Sequence, residues 1–156
     1  MRLIVIQKRL DELRISLPTP PKPAGSYVPV VTSNNLAFIS GQIPIEDGQL
    51  KYQGKVQNEQ SIQSAQNAAK LCIINALSQL NAYFGTLEKI KKIVRVSGFV
   101  NSDENFTEHP KVINAASELL VEIFGEKGKH SRIAIGVPSL PLNATIEIDM
   151  IIEFSN

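Results

Sequence analysis

Apolar positions along this chain change period several times, and each change marks an element. Leu3, Ile6, Leu10 and Leu13 recur at three- and four-residue steps, which predicts a short amphipathic helix. Pro18, Pro20, Pro21 and Pro23 then end it and give a stiff, extended connector. Val28 to Val31 reads as a strand, Ser33-Asn34-Asn35 as a turn, and Leu36 to Ile39 as a second strand ending at Ser40-Gly41. Together they predict a hairpin. The stretch 42–54 is rich in turn formers, with one short strand over 50–52. A helix is predicted over 59–84, where Ile62, Ala65, Ala69, Cys72, Ala76 and Leu80 make one stripe, and Gly85 stops it. The stripe is rich in alanine, so this helix can lie close against a sheet.

Ile90 to Val100 is β-branched and apolar in both phases, which predicts a strand. Residues 101–109 form a polar loop. Pro110 opens the next helix, whose buried stripe is Ile113, Ala116, Leu120 and Ile123, and Gly125 ends it. The stretch Arg132 to Asp149 alternates on both sides of Leu140-Pro141 and reads as two strands joined by a turn. The predicted order is β-β-α-β-α-β-β after a leading helix, an α+β domain with two helices on one face of a mixed sheet. Residues 1–22 form an N-terminal helix and connector packed on the body, and 23–156 a single domain. Because the strands are apolar in both phases, the second sheet face needs a cover, and a second subunit is the natural one.

In the final hairpin so read, Arg132 pairs with Asp149 and Ala134 with Glu147, and paired residues share a face. Arg132 is the only charge on its strand. It either closes a plain cross-strand salt bridge or grips a ligand carboxylate through two parallel hydrogen bonds.

The remaining chemistry narrows by what is missing. The 16 Lys plus Arg and 15 Asp plus Glu give no electrostatic case for a nucleic-acid or anionic-membrane partner. Lys89, Lys91, Lys92 and Arg95 are the densest basic cluster and read as a solvated edge. The single Cys72 excludes an internal disulfide and sits among apolar helix residues as a small hydrophobe. No apolar run reaches membrane-spanning length, and Gln7, Lys8 and Arg9 interrupt any signal-peptide core, so a cytoplasmic protein is expected. His109 and His130 fall in loops without ligand spacing. No phosphate-cradling glycine loop and no Ser-His-Asp order is present. Catalysis would have to use Arg, Glu or Asp, Tyr, Asn, backbone groups and water.

Four segments match a known pattern: Ala24-Gly25-Ser26-Tyr27, Phe38-Ile39-Ser40-Gly41-Gln42-Ile43-Pro44, Phe106 to Asn114, and Arg132 to Asp149 with its Leu140-Pro141 and Ile146-Glu147-Ile148-Asp149. Over residues 23–154 the chain resembles the YjgF/Rid family, the imine and enamine deaminases once called liver perchloric-acid-soluble proteins. The leading helix, the Pro-rich connector and Gly98 to Ser102 resemble its longer-chain branch. The resemblance implies a chorismate-mutase-like fold and a homotrimer with clefts between subunits. It further implies that Arg132 binds a substrate carboxylate and that Glu147 orients or activates water. Ala134 would present backbone groups to the amino end, while Tyr27, Ser40, Gly41 and Asn114 line the cleft. The implied reaction hydrolyses reactive 2-imino or enamine acids such as 2-aminoacrylate to 2-keto acids and ammonia, with no metal or cofactor. The alternative is a non-catalytic trimer that binds small carboxylates as a regulator. An endoribonuclease fits the near-neutral charge poorly. One departure bears on activity: Ala134 stands where many members carry cysteine.

Overall fold

The structure, a computed structural model, describes residues 5–156. Helix α1 (Ile6–Glu12) buries Ile6 and Leu10, with Leu13 packed against the same core. Leu3, the first residue of the expected stripe, lies outside the described residues. The helix is tied down by polar contacts as well. Arg9 Nε donates to Glu122 O at 2.7 Å, and the Ile6 amide donates to the Glu88 carboxylate. The proline connector then runs along the body, where Gln79 Nε2 donates to Pro21 O at 2.7 Å.

Strands β1 (Val30–Ser33) and β2 (Leu36–Gln42) form the expected hairpin, with Asn34 at φ 52° in the turn. A two-stranded ribbon of β3 (Ile45–Glu46) and β4 (Gln49–Leu50) follows, turned by Asp47-Gly48 at φ 53° and 73°. Positive φ at both central residues is the hairpin geometry that Asp-Gly favours. Helix α2 (Ile62–Phe84) begins three residues later than the periodicity suggests, because Ser61 caps it by accepting from the Ser64 amide. Gly85 ends it at φ 78°. Strand β5 (Ile90–Asn101), helix α3 (His109–Phe124), strand β6 (Ser131–Val137) and strand β7 (Ile146–Phe154) complete the body.

The main sheet has the order β1-β2-β7-β5-β6, with β6 parallel to β5 and every other pair antiparallel. The central strands of one face are buried under α2 and α3: Ala37, Ile39, Val96, Val100, Ile146, Ile148 and Ile152 are 3% exposed or less. The alanines of α2 allow the close approach the sequence suggests. Gly98 does the same for α3, since a Cβ there would lie 2.7 Å from the Ile113 side chain. The opposite face carries Val31, Phe38, Ile133 and Ile135, all exposed large apolar side chains.

The expected Arg132–Asp149 hairpin is not formed. β6 and β7 both pair with β5, on its two sides, and do not touch one another as a ladder. The connection crosses the end of β5 through a short turn at Pro141–Asn143, with Leu142 and Asn143 at φ 57° and 59°. Asn101, the buried last residue of β5, holds that crossing. Its Nδ2 donates to Ala144 O at 3.0 Å and Asn143 Oδ1 at 3.1 Å, and its amide donates to Thr145 O. Alternation around a Leu-Pro turn looks the same whether two strands pair with each other or with a third between them. The two apolar phases of β5 speak for its faces and say nothing of which strands lie at its edges.

Leu10→Ala should lower unfolding free energy by roughly 2–5 kcal/mol, since Leu10 is 1% exposed in the seam between α1 and the body. Chemical denaturation followed by circular dichroism reads this directly.

Candidate functional site

Arg132 projects on the helix-covered side of the sheet, because its register partner on β5 is Val96. At this edge its guanidinium meets α3. Nη1 donates to Asn114 Oδ1 at 2.8 Å and to Ser117 Oγ at 3.1 Å, which uses both Nη1 hydrogens. Among the described residues Arg132 makes no ion pair, and Nε and Nη2 have no hydrogen-bond partner. The salt-bridge reading of Arg132 with Asp149 therefore fails: the two residues sit on opposite faces, with β5 between their strands. What remains is a half-buried cation held from one side by two neutral acceptors. Its Nε–Nη2 edge keeps the geometry and the charge to take a carboxylate through two parallel bonds. Ala134 follows Arg132 on the same face of the edge strand and its small side chain keeps the floor beside the guanidinium low, while His109 and Ser102 fill the space over Gly136.

Glu147 lies elsewhere. It pairs with Phe99 of β5, so it shares the uncovered face with Asp149, Ile133 and Ile135. Its side chain crosses Gly41, where a Cβ would come 2.2 Å from Glu147 Oε1. Between Ile39 and Gln42 the pairing of β2 with β7 slips by one residue, a bulge at Ser40-Gly41 that makes this approach. Burial, and secondarily the negative charge of Asp149, push the Glu147 carboxyl above its ordinary value. A carboxyl so placed holds and releases protons nearer neutrality than a solvated one.

The remaining predicted residues gather around Glu147, except Asn114. Ser40 Oγ donates to Val28 O at 2.9 Å and its amide to Pro29 O at 2.9 Å, so this serine ties the bulge to the segment before β1. Tyr27, half exposed on that segment, lines a shallow pocket with Gly41, Gln42, Pro21 and Pro23. One chain thus carries two clusters. Arg132, Asn114 and Ala134 lie at the β6–α3 edge. Tyr27, Ser40, Gly41 and Glu147 lie at the β2–β7 bulge beyond β5, with Glu147 two strand spacings, roughly 10 Å, across from β6 and the others farther still. Ser117 was not legible as part of the first cluster, because a serine inside a helix carries no signal of its own. Cys72 is buried, donates to Ile146 O at 3.8 Å, and has its thiol pushed up by burial and by the Glu147 charge, which leaves it un-ionised. Among the described residues no group of His, Cys, Asp and Glu is placed to hold a metal, and no helix is long and apolar enough to cross a membrane.

A family model described as "YjgF/chorismate mutase-like, putative endoribonuclease" matches residues 7–154. The protein TCP17 of Trypanosoma cruzi is 37% identical over 152 residues, covering 97% of this chain and 95% of that protein. A 2-iminobutanoate/2-iminopropanoate deaminase of Dermatophagoides farinae is 27% identical over 138 residues, 88% of this chain and 93% of its own length. Among solved structures, the protein Atu1372 of unknown function from Agrobacterium tumefaciens superposes with a TM-score of 0.90 at 43% identity, over 96% of this chain and 92% of its own.

The raised Glu147 carboxyl has a consequence for stability with a definite sign. A group that binds its proton more tightly when folded favours the native state in acid and loses that contribution as pH rises through its folded pKa. At neutral pH the ionised Glu147 therefore opposes folding. Glu147→Gln should raise the melting temperature at pH 7, with the gain fading as pH falls through the raised carboxyl's titration and gone by the ordinary glutamate range.

Proposed function

The chain belongs to the YjgF/chorismate mutase-like family, and from that membership and the two clusters we propose that it hydrolyses reactive 2-imino and enamine acids to 2-keto acids and ammonia. The observation that carries the proposal is Arg132, a half-buried guanidinium held by two neutral acceptors, with no ion-pair partner among the described residues and one bidentate edge without a partner there. A 2-imino acid offers the matching carboxylate. The relative named as an iminobutanoate deaminase supports the same substrate class.

Because Arg132 and Glu147 lie on opposite faces of one sheet, a cleft containing both must draw them from two copies of the chain. The exposed Val31, Phe38, Ile133 and Ile135 supply an apolar face for that assembly, which we take to be a homotrimer. In such a cleft Arg132 of one copy holds the substrate carboxylate, and Asn114 keeps the guanidinium in place. Glu147 of the next copy takes a proton from water as its oxygen attacks the carbon of the protonated imine, which gives a neutral carbinolamine. The carbinolamine then collapses: Glu147 returns its proton to the nitrogen, then takes the hydroxyl proton as the C–N bond breaks, and the amine departs as ammonia. An enamine such as 2-aminoacrylate first gains a proton at its terminal carbon to become the imine. The Ser40-Gly41 bulge borders the carboxylate that performs these transfers, and Tyr27 shares a pocket with Gly41. Holding an already electrophilic carbon, a water and a proton carrier together accounts for the chemistry through proximity and acid–base catalysis.

Ala134 favours one other reading. Where many relatives carry cysteine, this chain has a methyl group, so the cleft could bind a small carboxylate and signal its level without turning it over. A nuclease reading lacks support in charge, since 16 basic and 15 acidic residues leave no net field for a polyanion.

Arg132→Ala should weaken pyruvate binding by about 30-fold or more, the loss on the order of 2–5 kcal/mol that follows removal of a charged hydrogen-bonding partner. Glu147→Gln should abolish ammonia release from freshly generated 2-aminoacrylate while pyruvate still binds. Undiminished turnover in Glu147→Gln would remove the proton-transfer role, and a wild type without turnover that binds pyruvate would leave the regulator.

The acid limb of kcat/KM should lie above the range of an ordinary glutamate. Asp149→Asn should move that limb to lower pH by removing a neighbouring negative charge.

Phe38→Asp should convert the assembly to monomers in analytical ultracentrifugation and silence turnover with it. A stable wild-type monomer at micromolar concentration would end the shared-cleft mechanism.

A further inference from the structure

Behind Arg132 runs a hydrogen-bonded chain whose members have no part in the reaction drawn above. Arg132 Nη1 donates to Ser117 Oγ at 3.1 Å. Ser117 Oγ lies 2.9 Å from His130 Nε2, and His130 Nδ1 lies 2.6 Å from Gly128 O. The direction of each bond follows from the end that has no choice. A backbone carbonyl only accepts, so His130 Nδ1 carries a hydrogen. In the neutral ring Nε2 is then an acceptor, and it takes the Ser117 hydroxyl hydrogen. The Ser117 oxygen is left with its lone pairs toward Arg132. Every donor in the chain meets one acceptor, and the guanidinium meets a hydroxyl oxygen that cannot rotate its hydrogen toward it.

The carbonyl at the base of the chain is itself fixed by packing. Gly128 is buried against α3, and a Cβ there would stand 2.3 Å from Leu120 O. The turn at Gly125–Gly128 therefore docks flat on the helix and aims its carbonyl at the His130 ring. His130 precedes β6 by one residue, so the same docking that starts the strand also sets the imidazole beside Ser117.

We propose that His130 is a positioning residue for Arg132, acting through Ser117: the Nδ1–H tautomer locks the Ser117 hydroxyl so that the guanidinium presents its Nε–Nη2 edge to a substrate carboxylate. The proposal rests on the carboxylate-binding reading of Arg132 and deepens it. Asn114 anchors the same Nη1 from the exposed side, while Ser117 and His130 anchor it from the inner side. Without the inner anchor, the guanidinium keeps its charge and loses its fixed plane. Recognition should then weaken, while the proton transfers at Glu147 continue.

The test combines spectroscopy with binding on the full-length protein. Nitrogen-15 NMR of the imidazoles should show His130 protonated at Nδ1 and not at Nε2 near neutral pH. The Arg132 Nη signals should exchange slowly in the wild type and fast in Ser117→Ala. Ser117→Ala and His130→Ala should raise the pyruvate dissociation constant and KM by roughly 10-fold, the weight of one hydrogen bond to a charged group, with kcat within about twofold. Ser117→Thr, which keeps the hydroxyl, should restore affinity. An Nε2–H tautomer at His130, or Ser117→Ala binding pyruvate as tightly as wild type at an unchanged melting temperature, would overturn the proposal. Absence of imine hydrolysis in the wild type would count against the deaminase reading alone. The tautomer, the arginine exchange and pyruvate binding would still decide this one.

Discussion

The pairing of β7 with β5 governs everything else in this molecule. By entering the sheet beside β5, β7 pushes β6 to the edge and separates the two halves of the signature segment that is continuous in sequence. It also sets the parity. From Arg95 onward β5 is in unbroken register with both neighbours, so even-numbered residues of all three strands face the helices and odd-numbered ones face away. Arg132 is even and Glu147 is odd. No rotamer brings them together within one chain.

That parity explains how the chain can keep an arginine and a glutamate both unpaired. Had they faced each other, they would have closed an internal ion pair and cancelled the charges needed for a ligand. Separation leaves the guanidinium with neutral partners, Asn114 and Ser117, and the carboxyl with the hydrophobic company of its sheet face and one like charge at Asp149. The burial of the Glu147 carboxyl and the like charge at Asp149 oppose folding mildly at neutral pH. The buried alanine, isoleucine and valine layer under α2 and α3 offsets them.

Much of the architecture was legible because it rests on local periodicity. The alanine stripe of α2, the Ile113-Ala116-Leu120-Ile123 stripe of α3 and the Ser33-Asn34-Asn35 turn each depend on neighbours within a few residues, and all are found. The pairing of β6 was not legible, since it depends on Asn101 gripping the crossing at Ala144, a contact between residues over forty positions apart. The site divides along the same line. Arg132 and Asn114 could be named together only through resemblance, although the structure joins them at 2.8 Å. His130 read as a loop histidine because its partners, Ser117 and the Gly128 carbonyl, become visible only when the turn after α3 folds back.

Glu147 and Gly41 carry one more implication, which belongs to heredity rather than chemistry. In the proposed assembly, a cleft that takes its arginine from one copy and its carboxylate from the next would make each gene product half of an active centre. A lesion at Arg132 and a lesion at the Gly41–Glu147 contact then damage opposite halves. Two such alleles in one cell would co-assemble with some junctions joining an intact arginine half to an intact carboxylate half. Each allele would score as null alone, yet the heterozygote would not, and the pattern of complementation would map the two faces of the sheet without any structure.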